Sequence, residues 1–360
     1  MAIDWKRSMQ QRFRYYEVDP MSWRDVREID TVVSCEVTRD LESDTRESAS
    51  LTIVGGTIDE KIIRAYMECR QADASTGELS GWERFAIGTW MCQTPKRTWR
   101  RGVGELQVNA YSMLLPVSDD KPPVFHTVRS GSDPAVQAVI ALSNGVAPVV
   151  PCVSGSTLEE NHSCDPGEDW LELANEMAGA ASMMVMVDAF GKPYLEVDKD
   201  PAGLSASWTY EDNEDSILLG GIDDQCDWYK LPNVVEVVAD ANNSTFIGTA
   251  VNDSPLSLLS VGVRGRRVVE RITKPELANV TQAAADRLAS KKLSELGSVE
   301  RKLTYEHGYC PVRLGDCVRI LSRRHGIDTK GRVVRQTMTL ATGCTVTEDA
   351  VCEMTMGDSV

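Results

Sequence analysis

Residues 306–321 read EHGYCPVRLGDCVRIL and place four potential metal ligands within a dozen positions: His307, Cys310, Asp316 and Cys317. In a chain with only four histidines, this cluster is the first candidate for a metal or catalytic site. Its glycines and proline favour a different interpretation. Gly308 interrupts an alternating strand, and residues 311–315 (PVRLG) are typical of a turn that reverses the chain. We interpret the stretch as a strand–turn–strand corner, although the sequence leaves a catalytic cysteine–histidine pair open.

Strand patterns fill most of the region around this corner. Apolar residues alternate or run together with β-branched residues in residues 208–210, 217–222, 233–239, 244–250, 299–305, 331–339 and 350–356. One helix interrupts them, because residues 279–296 (NVTQAAADRLASKKLSEL) are strong helix formers followed by Gly297. The pattern predicts a β domain over residues 205–360, with a helical insertion at about residues 270–298.

The amino-terminal region gives a second series of strands. Residues 31–38, 48–54, 82–93 and 104–111 have strand patterns separated by Gly, Asp and Ser, which suggests a barrel or sandwich. The sequence becomes rich in turn formers after Val117. A β domain over residues 1–118 is therefore predicted.

The middle region, residues 119–204, reads as a small α+β unit. Asp133 followed by Pro134 predicts a helix start, and residues 165–168 (DPGE) resemble a capping box that opens a second helix. Residues 183–197 form two apolar arms around DAFG, which predicts a hairpin. The predicted fold class is thus α+β, mainly β, with two β domains flanking this unit.

Composition restricts the classes of function. The chain has 360 residues and a formal charge of −16, from 54 acidic and 38 basic side chains, which disfavours nucleic-acid binding. It contains no apolar run of signal-peptide or membrane-spanning length, so neither Sec export nor a transmembrane segment is expected. Its ten cysteines include no CxxC pair and are expected to be reduced, mostly buried thiols made in a cytoplasm.

Common enzyme signatures are absent from the sequence, which has no GxSxG, GxxxxGK[ST], GxGxxG or HExxH. The acidic runs at residues 119–120, 211–215 and 223–224 are interpreted as solvated turns. His126 and His325 are isolated, and His162 with Cys164 offers two ligands where a structural zinc needs four. The sequence therefore predicts no catalytic, cofactor-binding or metal-ligating residue and no cofactor.

Tryptophans and basic clusters are the other notable features. We interpret Trp23, Trp82, Trp90 and Trp99 as core or interface anchors. Basic clusters occur at residues 96–101, 264–267 and 323–324. The sequence leaves two interpretations open for them: salt bridges to a neighbouring subunit, or solvated strand ends. Cys344 and Cys352 flank TVTEDAV, and if this segment is a hairpin the two thiols face each other and can form a disulfide.

Four segments follow one another in the carboxy-terminal half of the chain: LPNVVEVVAD, STFIGTAVNDSPLS, VVERITKPELANVTQAAADRLASKKLSELGSVERKLTYEH and CPVRLGDCVRIL. Their order resembles that in tail hub proteins of bacteriophages and related contractile injection machines. The last segment carries a P-x-x-x-G-D-x-V corner like that of the family. The resemblance covers about residues 231–355, and RYYEVDPMSWRDVREIDTVVSCEVTRDLES is similar to the first barrel of such hubs.

The resemblance implies a virion protein of the tail tip or baseplate, assembled in the host cytoplasm. It implies a homotrimer whose two tube-like β-barrel domains form a pseudo-sixfold ring. Its partners would be a distal tail or tail tube protein, the tape-measure protein and a central spike or tip/fibre protein. DNA would pass through the lumen without specific binding, helped by a negative wall. No catalytic role is carried over, and any lysin activity is expected in another chain.

A function of another class remains as the alternative. A tail-associated cell-wall hydrolase or glycan-binding enzyme would use carboxylates from the acidic turns and tryptophans that stack on sugars.

Overall fold

A computed structural model describes residues 3–55, 61–73, 75–100, 103–199, 203–226, 229, 231–241, 244–255, 257, 259–273, 281–296 and 299–354. The chain forms two compact units. Unit 1 comprises residues 1–221, 305–328 and 332–349, and unit 2 comprises residues 222–304, 329–331 and 350–360. The three-domain division at residues 118/119 and 204/205 stays a prediction.

An antiparallel sheet built from the first seven strands dominates unit 1. The strands are β1 (Gln10–Val18), β2 (Asp25–Glu28), β3 (Val32–Asp40), β4 (Glu47–Val54), β5 (Ile62–Arg70), β6 (Glu83–Arg100) and β7 (Val103–Ser112). They are arranged in the order β3-β4-β7-β6-β5-β1-β2. The four strands predicted in this region are confirmed as β3, β4, β6 and β7.

Strand β5 escaped the sequence analysis although it lies in the middle of the sheet. All of its residues except Arg70 are buried, yet it carries Arg64 and Glu68, which obscure an apolar run. Burial of such charges requires charged or hydrogen-bonding partners, which neighbouring strands supply. The burial of β5 therefore depends on partners from other strands, which the local sequence does not reveal.

The core of this sheet lies on one face. Leu51, Ile53, Ile63, Met67 and Trp90 are fully buried in one apolar cluster. The indole of Trp90 donates a 2.8 Å hydrogen bond to the buried carboxylate of Glu47, which gives the polar end of the ring a partner inside the core. Trp90 is thus a core anchor.

The middle of the chain folds as predicted into helices and a hairpin. Its elements are α1 (Leu115–Ser118), β8 (Thr127–Val128), α2 (Pro134–Leu142), β9 (His162–Ser163), α3 (Trp170–Ala180), β10 (Met183–Val187) and β11 (Pro193–Val197). Asp133 caps α2 by accepting hydrogen bonds from the amides of Ala135 and Val136. Strands β10 and β11 pair in the predicted hairpin.

The predicted start of α3 at Asp165 was wrong. The helix begins four residues later, with Asp169 as its N-cap and Glu172 completing the capping box. Gly167 has a φ of +106°, which lies outside the helical region and prevents the chain from entering the helix earlier. The Asp165–Glu168 pair still forms half of a capping interaction, because the Asp165 amide donates to Glu168 Oε2 at 2.7 Å.

The remaining elements follow in chain order. They are β12 (Trp208–Glu211), β13 (Leu218–Cys226), β14 (Val234–Ala241), β15 (Ser244–Val251), α4 (Val261–Arg264), β16 (Val269–Thr273), α5 (Gln282–Leu296), β17 (Val299–Gly308), β18 (Cys317–Ser322), β19 (Ile327–Thr339) and β20 (Thr345–Met354). Within unit 1, β19 extends the first sheet by pairing antiparallel to β3, and β18 pairs parallel to β12.

The corner is confirmed. Strand β17 ends at Gly308, and β18 begins at Cys317. Gly315 reverses the chain with a φ of +87°, a conformation that residues with a β-carbon rarely adopt. Among the described strands of unit 1, the pairing follows an open path that ends at β2, so closed barrels stay a prediction.

Unit 2 contains a three-stranded sheet in the order β15-β14-β16, covered by α5. The helix predicted in the insertion is confirmed as α5. It lies so close to β15 that a β-carbon on Gly248 would be 2.2 Å from the backbone carbonyl carbon of Ala285. Glycine is therefore the residue that permits this contact.

The hairpin proposed between Cys344 and Cys352 was wrong. Thr345–Met354 is one continuous strand, so the two cysteines are separated along it by about 26 Å at 3.3 Å per residue. A disulfide requires α-carbons within roughly 7 Å. Eight of the ten cysteines are buried, as expected. No helix within the described residues is long and apolar enough to span a membrane.

Replacement of Gly248 tests the packing of α5. Gly248→Ala should lower the free energy of unfolding by about 1–3 kcal/mol, because the new methyl group meets backbone atoms that cannot rotate away. Gly262→Ala is the matched control, since a β-carbon there meets no atom within 4 Å. Urea denaturation measures both variants, and equal stabilities would contradict the close contact.

Candidate functional site

A buried polar cluster surrounds the corner. We call this group the corner cluster; it comprises Tyr210, Tyr305, His307, Cys310, Gln336 and Glu348, all in unit 1. Glu348 is its centre and accepts hydrogen bonds from Tyr305 Oη at 2.5 Å and Gln336 Nε2 at 2.6 Å. His307 Nε2 lies 3.1 Å from Tyr210 Oη and 3.6 Å from Glu348 Oε2. The cluster joins β12, β17, β19 and β20.

His307 is held as a buried cation in this cluster. Burial lowers the pKa of His307. Hydrogen bonds with Cys310 and Glu348 and the charge of Glu348 outweigh this effect and raise the pKa to about 10. A protonated imidazole has two N–H donors, which match the Gly308 carbonyl oxygen at 2.8 Å from Nδ1 and the Tyr210 hydroxyl. Burial raises the pKa of Tyr210 well above 10, so its hydroxyl stays protonated.

The cysteine–histidine pair that the sequence left open does exist, with Cys310 Sγ 3.8 Å from His307 Nδ1. Both side chains are almost fully buried. A nucleophile must reach its substrate, and this thiol lies inside the core. Cys317 faces the core from β18, and Asp316 accepts a 2.9 Å hydrogen bond from the Arg313 amide in the turn. The geometry gives the corner cluster a structural role.

A second polar arrangement lies on a face of the first sheet. We call it the arginine face; it comprises Asp25, Glu28, Arg12, Arg14, Tyr16, Arg64, Tyr66, Glu68, Arg70, Trp82 and Arg84. The strand register places these residues together, since Arg12 pairs with Glu68 and Arg14 pairs with Tyr66 across β1 and β5. Five arginines face three carboxylates there, so the surface is cationic in an acidic chain.

Ion pairs and ring stacking order the arginine face. The buried carboxylate of Glu68 accepts hydrogen bonds from Arg12 and Arg84, each at 2.6 Å. Trp82 lies against two guanidinium groups, with Arg12 4.0 Å and Arg70 4.5 Å from its ring centre. Arg12, Arg14 and Arg84 remain partly exposed. These side chains are therefore held in place while their charges face outward.

The acidic runs are used locally. In unit 1, Asp212 accepts hydrogen bonds from the backbone amides of Arg324 and Arg323, which lower its pKa. In unit 2, Asp224 pairs with Arg301 at 2.5 Å. Each of these two carboxylates therefore has partners within its own unit.

The other histidines and tryptophans that the sequence singled out have local surroundings within unit 1. His126 packs edge-on against Trp170 with ring centres 5.2 Å apart, and His325 Nδ1 lies 2.8 Å from Ser322 Oγ. Trp23 donates a hydrogen bond to the Phe190 carbonyl oxygen at 2.8 Å. Trp99 is largely exposed. Sequence reasoning missed Tyr210 and Glu348 altogether, because each lies in a separate strand with no local signal of its neighbours.

Tail proteins are among the solved structures with a similar fold. The tail protein from Neisseria meningitidis MC58 is 12% identical, with a TM-score of 0.62 over 94% of this chain and 96% of its own. The 43 kDa tail protein of prophage MuSo2 from Shewanella oneidensis is 11% identical, with a TM-score of 0.63 over 94% and 98%. The chain has the fold of phage tail proteins.

A third similar structure is a chain of the Francisella PdpA–VgrG complex. It is 8% identical, with a TM-score of 0.55 over 96% of this chain and 58% of its own. The sequence itself matches no protein-family model, and no curated protein is similar to it. The tail resemblance seen in the sequence is thus confirmed at the level of the fold, and the roles of side chains rest on their own contacts.

The buried cation at His307 predicts a pH dependence of stability. A histidine whose folded pKa is about 10 contributes its full stabilisation below its unfolded pKa of about 6.5 and loses it as pH rises toward 10. The free energy of unfolding should fall between pH 6.5 and 8.5 by up to about 1.4 kcal/mol per pH unit more in the wild type than in His307→Gln.

Urea denaturation at several pH values between 6.5 and 8.5 measures these slopes, and titration of the unfolded chain's thiols near about pH 8.5 cancels because the wild type and the variant have the same cysteines. His325→Gln is the matched control and should keep the wild-type slope, since His325 lies on the surface. Parallel slopes for the wild type and His307→Gln would show that His307 is not a buried cation.

Proposed function

We propose that this protein is a structural hub of a phage tail tip or baseplate. The observation that carries the proposal is the likeness of fold to two tail proteins, one of them from a prophage, over nearly the full length of each chain. The likeness extends to a longer chain of a PdpA–VgrG complex. The hub would belong to the virion and would be assembled in the host cytoplasm.

In this proposal three copies form a pseudo-sixfold ring. A chain that presents two similar tube-like β domains offers six similar edges from three subunits. Such a ring joins a sixfold tail tube or distal tail protein to a threefold spike or tip, with the tape-measure protein and later the DNA in its lumen. The net charge of −16 supports a wall to which the phosphate backbone does not adhere.

The work of this hub is assembly and not catalysis. The acidic runs that a cell-wall hydrolase would need are engaged in turn capping at Asp212 and in an ion pair at Asp224. The cysteine–histidine pair lies in the core. These contacts favour a structural role over the alternative of a cell-wall hydrolase or glycan-binding enzyme.

We assign the arginine face to the contact between copies. Arginine, tyrosine and tryptophan are enriched at protein interfaces, and this face holds all three in fixed positions. Its excess of positive charge complements the acidic surface expected of another copy of a chain with a charge of −16. The arginines would therefore both steer and hold the next subunit.

Oligomeric state tests the ring directly. Native mass spectrometry of the purified chain should show a trimer, and negative-stain images should show a ring with a central pore. If the chain alone does not assemble, the same measurements are repeated with its tail tube partner from the same phage. A monomer under both conditions would overturn the proposal.

Charge reversal tests the arginine face separately. Arg14→Glu with Arg70→Glu should dissociate the trimer or weaken it at least tenfold, because the reversed charges repel an acidic neighbour. Arg129→Glu with Lys199→Glu makes the same change of net charge at exposed positions outside this face. If the trimer survives both double substitutions, the contact between copies lies outside the arginine face, and the ring itself is not excluded.

A further inference from the structure

Three potential metal ligands converge in the middle region of the chain. The ligand atoms of His162, Glu168 and Glu176 all lie within 4.8 Å of one another. The sequence drew attention to His162 because of Cys164, but the structure gives it two carboxylates instead. Only Glu168 is close to it in sequence, and Glu176 comes from the adjoining helix.

Each ligand is positioned by a different element of unit 1. His162 belongs to β9, where its backbone pairs with Val128 of β8. Glu176 lies in the middle of α3. Glu168 lies in the turn before α3, where its Oε2 atom accepts the Asp165 amide hydrogen bond and leaves Oε1 directed elsewhere. The local fold thus brings three side chains together without strain at any of them.

Two of these ligand atoms lack hydrogen-bond partners. His162 Nε2 and Glu168 Oε1 are both inaccessible to solvent and make no hydrogen bond among the described residues. His162 Nε2 lies 2.7 Å from Glu176 Oε2, but the two atoms are not aligned as a hydrogen bond. Glu168 Oε1 is thus without a partner and His162 Nε2 has only its ion-pair contact with Glu176, so a bound cation would give both buried atoms a ligand bond.

We propose that His162, Glu168 and Glu176 bind a divalent zinc ion. One imidazole nitrogen and two carboxylate oxygens are ligands that zinc accepts, at bond lengths of about 2.0–2.2 Å. Ligand atoms around a tetrahedral zinc lie roughly 3.3 Å apart at such bond lengths, so the observed spacing needs only small side-chain rotations. A water molecule would occupy the fourth position.

The neighbouring thiol is unsuited to be the fourth ligand. Cys164 Sγ does not belong to the group of ligand atoms that lie within 4.8 Å of one another, which consists of His162, Glu168 and Glu176. The ion would tie β9 to α3 and rigidify the middle region, whatever the oligomeric state of the chain.

Zinc titration of the metal-free, full-length protein tests the site. In competition with a chromophoric chelator, the wild type should bind one equivalent of zinc, and Glu176→Gln and His162→Ala should each weaken binding at least tenfold. Zinc should also raise the melting temperature of the wild type but not of these variants. Glu176 is largely exposed, so its conservative replacement leaves the fold intact.

Matched controls are Glu160→Gln and His325→Ala, which remove an exposed carboxylate and an exposed imidazole elsewhere and should bind zinc as the wild type does. Cobalt(II) substitution identifies the ligands, because cysteine ligands give a thiolate-to-metal charge-transfer band that an N/O/O site lacks. No zinc binding by the wild type, equal binding by Glu176→Gln, or a thiolate band would each overturn the proposal.

Discussion

A carboxylate without access to water must find all of its partners inside the protein, and Glu348 imposes this constraint on the fold around the corner. Its oxygens accept hydrogen bonds from Tyr305 and Gln336, and the His307 imidazolium lies 3.6 Å away. These partners come from two strands, β17 and β19, while Glu348 lies in β20, so the three strands must keep one register for the carboxylate to be satisfied. An alternative register would leave an unpaired charge in the core, which costs several kcal/mol.

The same principle orders the arginine face, at the boundary with solvent. Glu68 is buried, but its arginine partners remain partly exposed, so the ion pairs fix the guanidinium groups without hiding their charge. A surface of this kind suits a protein whose proposed work is to assemble. The rigid arrangement limits the side-chain entropy lost on contact, and the excess of arginine opposes the net charge of the chain.

Sequence reasoning succeeded where the signal was local. The corner was predicted from Gly308 and Gly315, and α2 from Asp133, because turns and caps depend on residues a few positions apart. It failed at α3, where DPGE resembled a capping box, because the positive φ of Gly167 delays the helix. It failed again at Cys344 and Cys352, where a strand that continues was taken for a hairpin.

The sequence by itself determined the mainly β composition, the helices of the middle and carboxy-terminal regions and the corner. These features follow from periodicity, capping and turn chemistry along a short stretch of chain. Only the tertiary structure decided that His307 is a buried cation beside Glu348, that β5 is a central strand, and that His162 meets Glu168 and Glu176. Each of these features depends on residues that come together from separate elements. The sequence pattern of one element does not show which residues of other elements lie beside it.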